Sequence, residues 1–264
     1  MSAAPGTLYL VPTPLDHGCD SQLPLSGVLP LGTIEVAASL SHWISENAKS
    51  TRAFLKRVDA ERPLTRPVQA QQIVELPRLI HKKGDHAGGA FTPGHGFDAR
   101  PLLAPALQGH NMGLVSEAGM PAVADPGSSV VRAAHELGIA VVPLVGPASL
   151  LLALAASGLN GQRFAFTGYL PQDEALRARQ LKQLEARALE TGETQLFIET
   201  PYRNAALMRS MLASLRPGTR LAVCSAVTLP QASAVTKTVA QWRAPPGPAA
   251  GHDLKMPAVY AIGV

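Results

Sequence analysis

At 264 residues and 46% hydrophobic side chains, the chain has enough length and apolar content for one large domain or two modest ones. Aromatic residues make up only 5%, which argues against a stacking platform for single-stranded nucleic acid. The formal charge of +4 permits an RNA partner without requiring one.

The first twelve residues lack the basic start of a secretory signal. Residues 7–11 are β-branched or aromatic at several positions and read as a strand, stopped by Pro12 and Pro14, which cannot donate to a ladder. Cys19 and Cys224 have neither metal-type spacing nor the numbers for a disulfide framework, and read as reduced thiols in a cytoplasmic protein. Residues 40–58 read as a helix, with Ile44, Phe54, Leu55 and Val58 on one face and Lys49, Arg52, Lys56 and Arg57 on the other. Arg52, Lys56, Arg57, Arg62 and Arg66 form either a phosphate-facing patch or a solvated helix face.

Proline and glycine crowd residues 59–101, and the piece 81–98 reads as a mobile loop or a flap. His81, Asp85, His86, His95 and Asp98 are ligand-type side chains, but their spacing fits no zinc pattern and no metal is expected. A short helix at 101–107, a strand at 112–115 and a helix at 128–137 follow, the last stopped by Gly138. Residues 139–159 are uncharged over a length that could span a bilayer. Pro143 and the Gly146-Pro147 pair divide that stretch into a buried strand, 139–144, and a buried helix, 147–157, so no membrane span is expected. From Arg163 the pattern restarts: strand 164–169, helix 173–190, strand 195–200, helix 204–215 and strand 220–227. Strands at 236–242 and 258–264 flank a Pro/Gly/Ala loop at 244–251. The expectation is an α/β protein of two domains, 1–146 and 147–264, the second with a mixed sheet.

The run Ser116-Glu117-Ala118-Gly119-Met120-Pro121-Ala122-Val123-Ala124-Asp125-Pro126-Gly127 follows a strand and precedes a helix. Small residues there let a ligand approach the backbone, at the strand end where open α/β sheets bind ligands. Asp125 can serve such a ligand or cap the following helix. Three more loops of this kind occur: Val11-Pro12-Thr13-Pro14, Val145-Gly146-Pro147-Ala148-Ser149 and Lys255-Met256-Pro257-Ala258.

With Gly168-Tyr169-Leu170-Pro171 and Glu199-Thr200-Pro201-Tyr202-Arg203, these loops resemble, in order, the signatures of the tetrapyrrole methylase family. Within it they look most like the branch that methylates ribose 2′-oxygens of 16S ribosomal RNA. The resemblance implies two α/β domains with S-adenosylmethionine in the cleft between them, in a homodimer. It places the cofactor at Pro12, at Ser116, Ala118, Gly119, Val123 and Asp125, and at Val145 and Ala148. It adds Tyr169, Leu170, Pro257 and Ala258 from the second half. It implies a methyltransferase whose acceptor is RNA.

There are departures. The branch's Gly-Asn pair and acid after the first loop correspond to Leu15-Asp16-His17-Gly18-Cys19-Asp20, a loose match. Its Glu-Asp-Thr-Arg run corresponds to Ser45-Glu46-Asn47-Ala48-Lys49-Ser50-Thr51-Arg52, which keeps Glu46 and a nearby cation but loses the second acid. Glu46 and Lys49 are the candidates for handling the acceptor; the alternative is a solvated helix start with the acid on the favourable end of the dipole. Arg203 binds an anion or pairs with Glu199. Two other readings stay open: a small-molecule acceptor, or a non-catalytic S-adenosylmethionine sensor or scaffold.

Overall fold

The computed structural model describes residues 4–16, 18–19, 22–77, 97–245 and 255–264. It divides into two compact units, Met1–Ala148 and Ser149–Val264.

The first unit is built on β1 (Thr7–Leu10), β2 (His42–Ser45), β3 (Gln72–Glu75), β4 (Met112–Val115) and β5 (Ala140–Pro143). Their order is β3-β2-β4-β1-β5, and every pairing is parallel. Helices α1 (Leu31–Ser39), α2 (Ala48–Glu61), α3 (Ala104–Leu107) and α4 (Ser128–Glu136) complete the unit. A parallel sheet needs both faces covered. Strand alternation supplies two cores: Trp43 and Val115 join Ile34, Phe54, Leu55 and Val58, while Ile44 and Leu114 join Leu103, Val130 and Ala134.

That alternation corrects the single helix expected over 40–58. Trp43 and Ile44 are consecutive, both fully buried, and belong to opposite cores. Only an extended chain does this, so residues 42–45 form β2. The helix begins afterwards, where the Asn47 side chain accepts the Lys49 and Ser50 amides at 2.9 and 3.4 Å. α1 and β3 had no clear sequence signal, and β3 is an edge strand with only Ile73 partly buried. Residues 81–96 of the proposed loop, with His81, Asp85, His86 and His95, lie outside the described residues, as does most of 244–251, while Asp98 pairs with Arg100 at 2.8 Å.

The second unit carries β6 (Phe164–Tyr169), β7 (Thr194–Glu199), β8 (Arg220–Ser225), β9 (Ser233–Thr238) and β10 (Ala258–Gly263), ordered β6-β7-β10-β8-β9. β6 and β7 are parallel, and β10 runs antiparallel to both β7 and β8. Its helices are α5 (Ser149–Ser157), α6 (Glu174–Thr191), α7 (Pro201–Ser214) and α8 (Val239–Arg243). α5 packs Leu150, Ala153 and Leu154 on one face of the sheet, against Leu196, Ala222 and Val259. The opposite core holds Leu181, Phe197, Met208, Met211 and Tyr260.

The strand expected at 236–242 ends at Thr238, because Thr238 and Gln241 form a reciprocal capping box and start α8. The uncharged stretch 139–159 divides into β5 and the nine-residue α5, but β5 is an edge strand with Ala140, Val142 and Pro143 exposed, not the buried strand expected. Among the described residues, no helix is long and apolar enough to cross a membrane. Neither Cys19 nor Cys224 is in a disulfide, and burial pushes the Cys224 thiol up to about 11.

Candidate functional site

The connection from β2 stays on the β3 side of the first sheet, while that from β4 crosses to β5. The carboxyl ends of β2 and β4 therefore flank a topological switch point, where open α/β sheets bind ligands. Glu46 follows β2 and Ser116 follows β4. The Glu46 amide donates to Val115 O at 3.2 Å, and its carboxylate accepts the Glu117 amide at 3.2 Å.

The β1 and β4 loops are bound to each other. Thr13 and Gly119 each donate a backbone N–H to the other's carbonyl at 3.0 Å. Thr13 Oγ1 donates to Ser116 O at 3.3 Å. Gly119 has φ +81°, a left-handed conformation that favours glycine, and a Cβ there would fall 2.9 Å from Leu15 Cδ2. The β5 loop joins them: a Cβ on Gly146 would fall 2.3 Å from Pro12 Cγ, so only glycine lets that backbone lie on the proline ring. Thr33 Oγ1 fixes the same loop by donating to Val145 O at 2.8 Å.

Between Gly119 and α4 the chain is strained, with Ala122 and Ala124 at φ 64° and 65°. Asp125 lies in this segment. Burial, then the Glu46 and Glu117 charges, raise its carboxyl to about 7. It is not the side-chain cap of α4, whose N-cap is Gly127 with no side-chain hydrogen bond. Ser116 Oγ is buried without a hydrogen-bond partner among the described residues. Val123 and Val145 are exposed, and Pro12 is buried. Pro12, Ser116, Ala118, Gly119, Val123, Asp125, Val145 and Ala148 thus all belong to loops at one end of one sheet. Lys49 is exposed in the first turn of α2.

In the second unit, Tyr169 pairs with Ile198 and Ala258 with Glu199, so Tyr169, Leu170, Pro257 and Ala258 gather at one end of the β6, β7 and β10 strands. The register of β6 shifts between Phe166 and Tyr169, around Gly168 at φ +74°, and Tyr169 is 55% exposed. Of the two roles open for Arg203, the structure shows the ion pair: Nη2 lies 2.9 Å from the Glu199 carboxylate, whose side chain is fully buried. The basic residues of and just after α2 do not all face solvent freely: Arg57 turns inward onto Asp16, and Arg62 pairs with Glu35 at 3.1 Å.

Sequence reasoning did not single out Glu117, Thr13 and Gly146 as contributors, nor the Asp16–Arg57 pair that anchors the β1 loop. Thr13 and Gly146 lie inside the recognised loops. Glu117 and the pair gave no signal, because their roles depend on partners 71 and 41 residues away.

The chain belongs to the Tetrapyrrole (Corrin/Porphyrin) Methylases, whose family model matches residues 47–242. Its relatives include proteins named ribosomal RNA small subunit methyltransferase I. The one from Escherichia coli O157:H7 is 40% identical over 80% of this chain and 61% of its own length. That from Xylella fastidiosa is 30% identical over 84% and 68%. That from Micromonospora olivasterospora is 31% identical over 81% and 57%, so the chain spans about three fifths of these relatives. Among solved structures, the methyltransferase CobJ matches with a TM-score of 0.54 at 15% identity, covering 99% of this chain and 94% of its own. Uroporphyrin-III-C-methyltransferase from Thermus thermophilus matches at 0.50 and 19% identity, covering 98% and 94%. At such identities these two support the fold alone.

Proposed function

We propose that the protein is an S-adenosylmethionine-dependent methyltransferase acting on RNA, at a ribose hydroxyl of ribosomal RNA. The observation that carries the cofactor is the convergence of the β1, β4 and β5 loops, locked by the Thr13–Gly119 bridge and the Gly146–Pro12 contact. The donor set fits. Ser116 Oγ is a buried polar atom without a partner among the described residues, and Gly119 leaves a cradle that a side chain would fill. Backbone and apolar groups of Pro12, Ala118, Val123, Val145 and Ala148, with Ser116 and Asp125, would hold the cofactor. Tyr169, Leu170, Pro257 and Ala258 complete the set in this reading. The RNA acceptor rests on the relatives' printed names, and the cytoplasmic homodimer on the family expectation.

When bound, S-adenosylmethionine supplies an electrophilic methyl group on a cationic sulfur. The chain has to align an acceptor hydroxyl and receive its proton. In this reading Glu46 receives the proton; support comes from its position at the switch point, with its carboxylate accepting the Glu117 amide. Lys49, on the next turn, offers a charge to an anionic acceptor.

Calorimetric titration with S-adenosylhomocysteine tests the cofactor without needing the acceptor. One site per chain is expected, and no binding by folded protein would overturn the reading. Tritium transfer from methyl-labelled cofactor then separates the acceptors. Label in RNA supports the proposal; label in small molecules alone, or tight binding with no product, favours the two alternatives.

A further inference from the structure

We infer that Arg203 and Asn204, consecutive at the start of α7, are positioning residues that set the backbone of the two second-unit loops assigned above to the cofactor. The inference rests on that cofactor reading. Pro201 opens the helix, where its missing N–H costs no hydrogen bond, and fixes the direction in which the next side chains leave. Arg203 Nη2 donates to Leu170 O at 2.8 Å while paired with the buried Glu199. Asn204 is fully buried, and its Nδ2 donates to Met256 O at 2.7 Å. Two adjacent side chains thus hold one carbonyl in each of the loops that carry Tyr169-Leu170 and Pro257-Ala258.

The orientation of the Asn204 amide is itself specified. Tyr260 OH donates to Asn204 Oδ1 at 3.0 Å. Burial, with Glu199 nearby, pushes the Tyr260 phenol well above its ordinary range, so it stays a donor. With Oδ1 committed to Tyr260, the NH2 group must face Met256, since a turned amide would set oxygen against carbonyl. Glu199, Arg203, Asn204 and Tyr260 form a polar frame of two pairs: Glu199 directs Arg203, and Tyr260 directs Asn204. Strand ends need no such frame to pair; these bonds go to carbonyls outside β6 and β10.

The test uses the full chain. Asn204→Ala removes the donor to Met256, and Tyr260→Phe removes only the hydroxyl that orients it. S-adenosylhomocysteine affinity is expected to fall about tenfold in the first, as for one lost buried hydrogen bond, and about threefold in the second. Amide hydrogen exchange should quicken at 255–258 while 168–171, still held by Arg203, and β8 and β9 keep their protection, a pattern that general destabilisation does not give. If Asn204→Ala does not fold, Tyr260→Phe carries the test alone. Unchanged affinity and exchange in folded variants of a wild type that binds would overturn the inference alone. A wild type that does not bind would overturn the cofactor reading and the inference with it.

Discussion

Thr13 and Gly119 exchange two backbone hydrogen bonds, each 3.0 Å, and so join loops that leave two parallel strands. The left-handed φ of +81° at Gly119 makes this bridge possible. Gly119→Leu should destabilise the protein by about 1–2 kcal/mol from backbone strain and abolish S-adenosylhomocysteine binding. Thermal unfolding and calorimetry read the two effects. Normal affinity would remove this loop from the cofactor site.

Gly146 and Pro12 form the tightest approach in the site, with 2.3 Å between a built Cβ and Pro12 Cγ. The ring cannot swing away as a flexible side chain would. Gly146→Ala should therefore cost about 1–3 kcal/mol through overpacking and weaken the cofactor. Pro12→Gly in the same chain, which removes both Cγ and the Cβ at 2.5 Å, should restore part of both. A double-mutant cycle with no coupling would contradict the contact.

Asp125 predicts a pH effect whose sign is definite. Its folded carboxyl titrates near 7 rather than 3.8, so between these values the unfolded chain releases a proton that the folded chain keeps. Stability from this group is complete below about pH 4 and is lost as pH rises to about 7. Asp125→Asn should match wild type near pH 4 and exceed it above pH 7, by on the order of 2 kcal/mol. Chemical denaturation at the two pH values measures the difference.

Asp16 and Arg57 make a bidentate pair with two 2.9 Å bonds, the carboxylate buried and the guanidinium also donating to Leu23 O at 2.7 Å. The pair anchors the β1 loop beside Leu15, the residue that faces Gly119. Removing one partner leaves the other charge half-desolvated. Asp16→Ala should cost about 2–4 kcal/mol, more than an exposed ion pair, and should lower cofactor affinity as well. An effect below about 1 kcal/mol would mark it as a surface pair.

The legible part of the fold was the part with clear alternation and punctuation. β4 and β6 have the bounds expected, and the helix expected to stop at Gly138 stops there, at φ +69°. β2 was hidden because a four-residue strand runs into a helix after only Glu46 and Asn47, and its two consecutive buried residues mimic one apolar helix face. β3 was hidden because an edge strand with one partly buried residue has almost no apolar pattern. At the site, small residues marked the loops. The carboxyl cluster was not legible as a cluster, since Asp125, Glu46 and Glu117 meet only after β2 and β4 pair. Asn204 left no mark, because its importance lies in Met256 and Tyr260, more than fifty residues away.

Glu46→Gln separates chemistry from geometry. The amide oxygen can still accept the Glu117 N–H that the carboxylate accepts at 3.2 Å, so the β2 and β4 ends should stay as they are. A glutamine cannot take up the hydroxyl proton. The expected result is unchanged S-adenosylhomocysteine affinity with methyl transfer to RNA slowed about 10²–10⁴-fold. Lys49→Ala, on the exposed turn beside it, should instead weaken RNA binding and reduce its salt dependence. If Glu46→Gln transfers methyl groups at the wild-type rate, the proton has another acceptor. Asp125, whose carboxyl burial raises to about 7 with the nearby Glu46 charge adding to the effect, is then the residue to replace in the same assay.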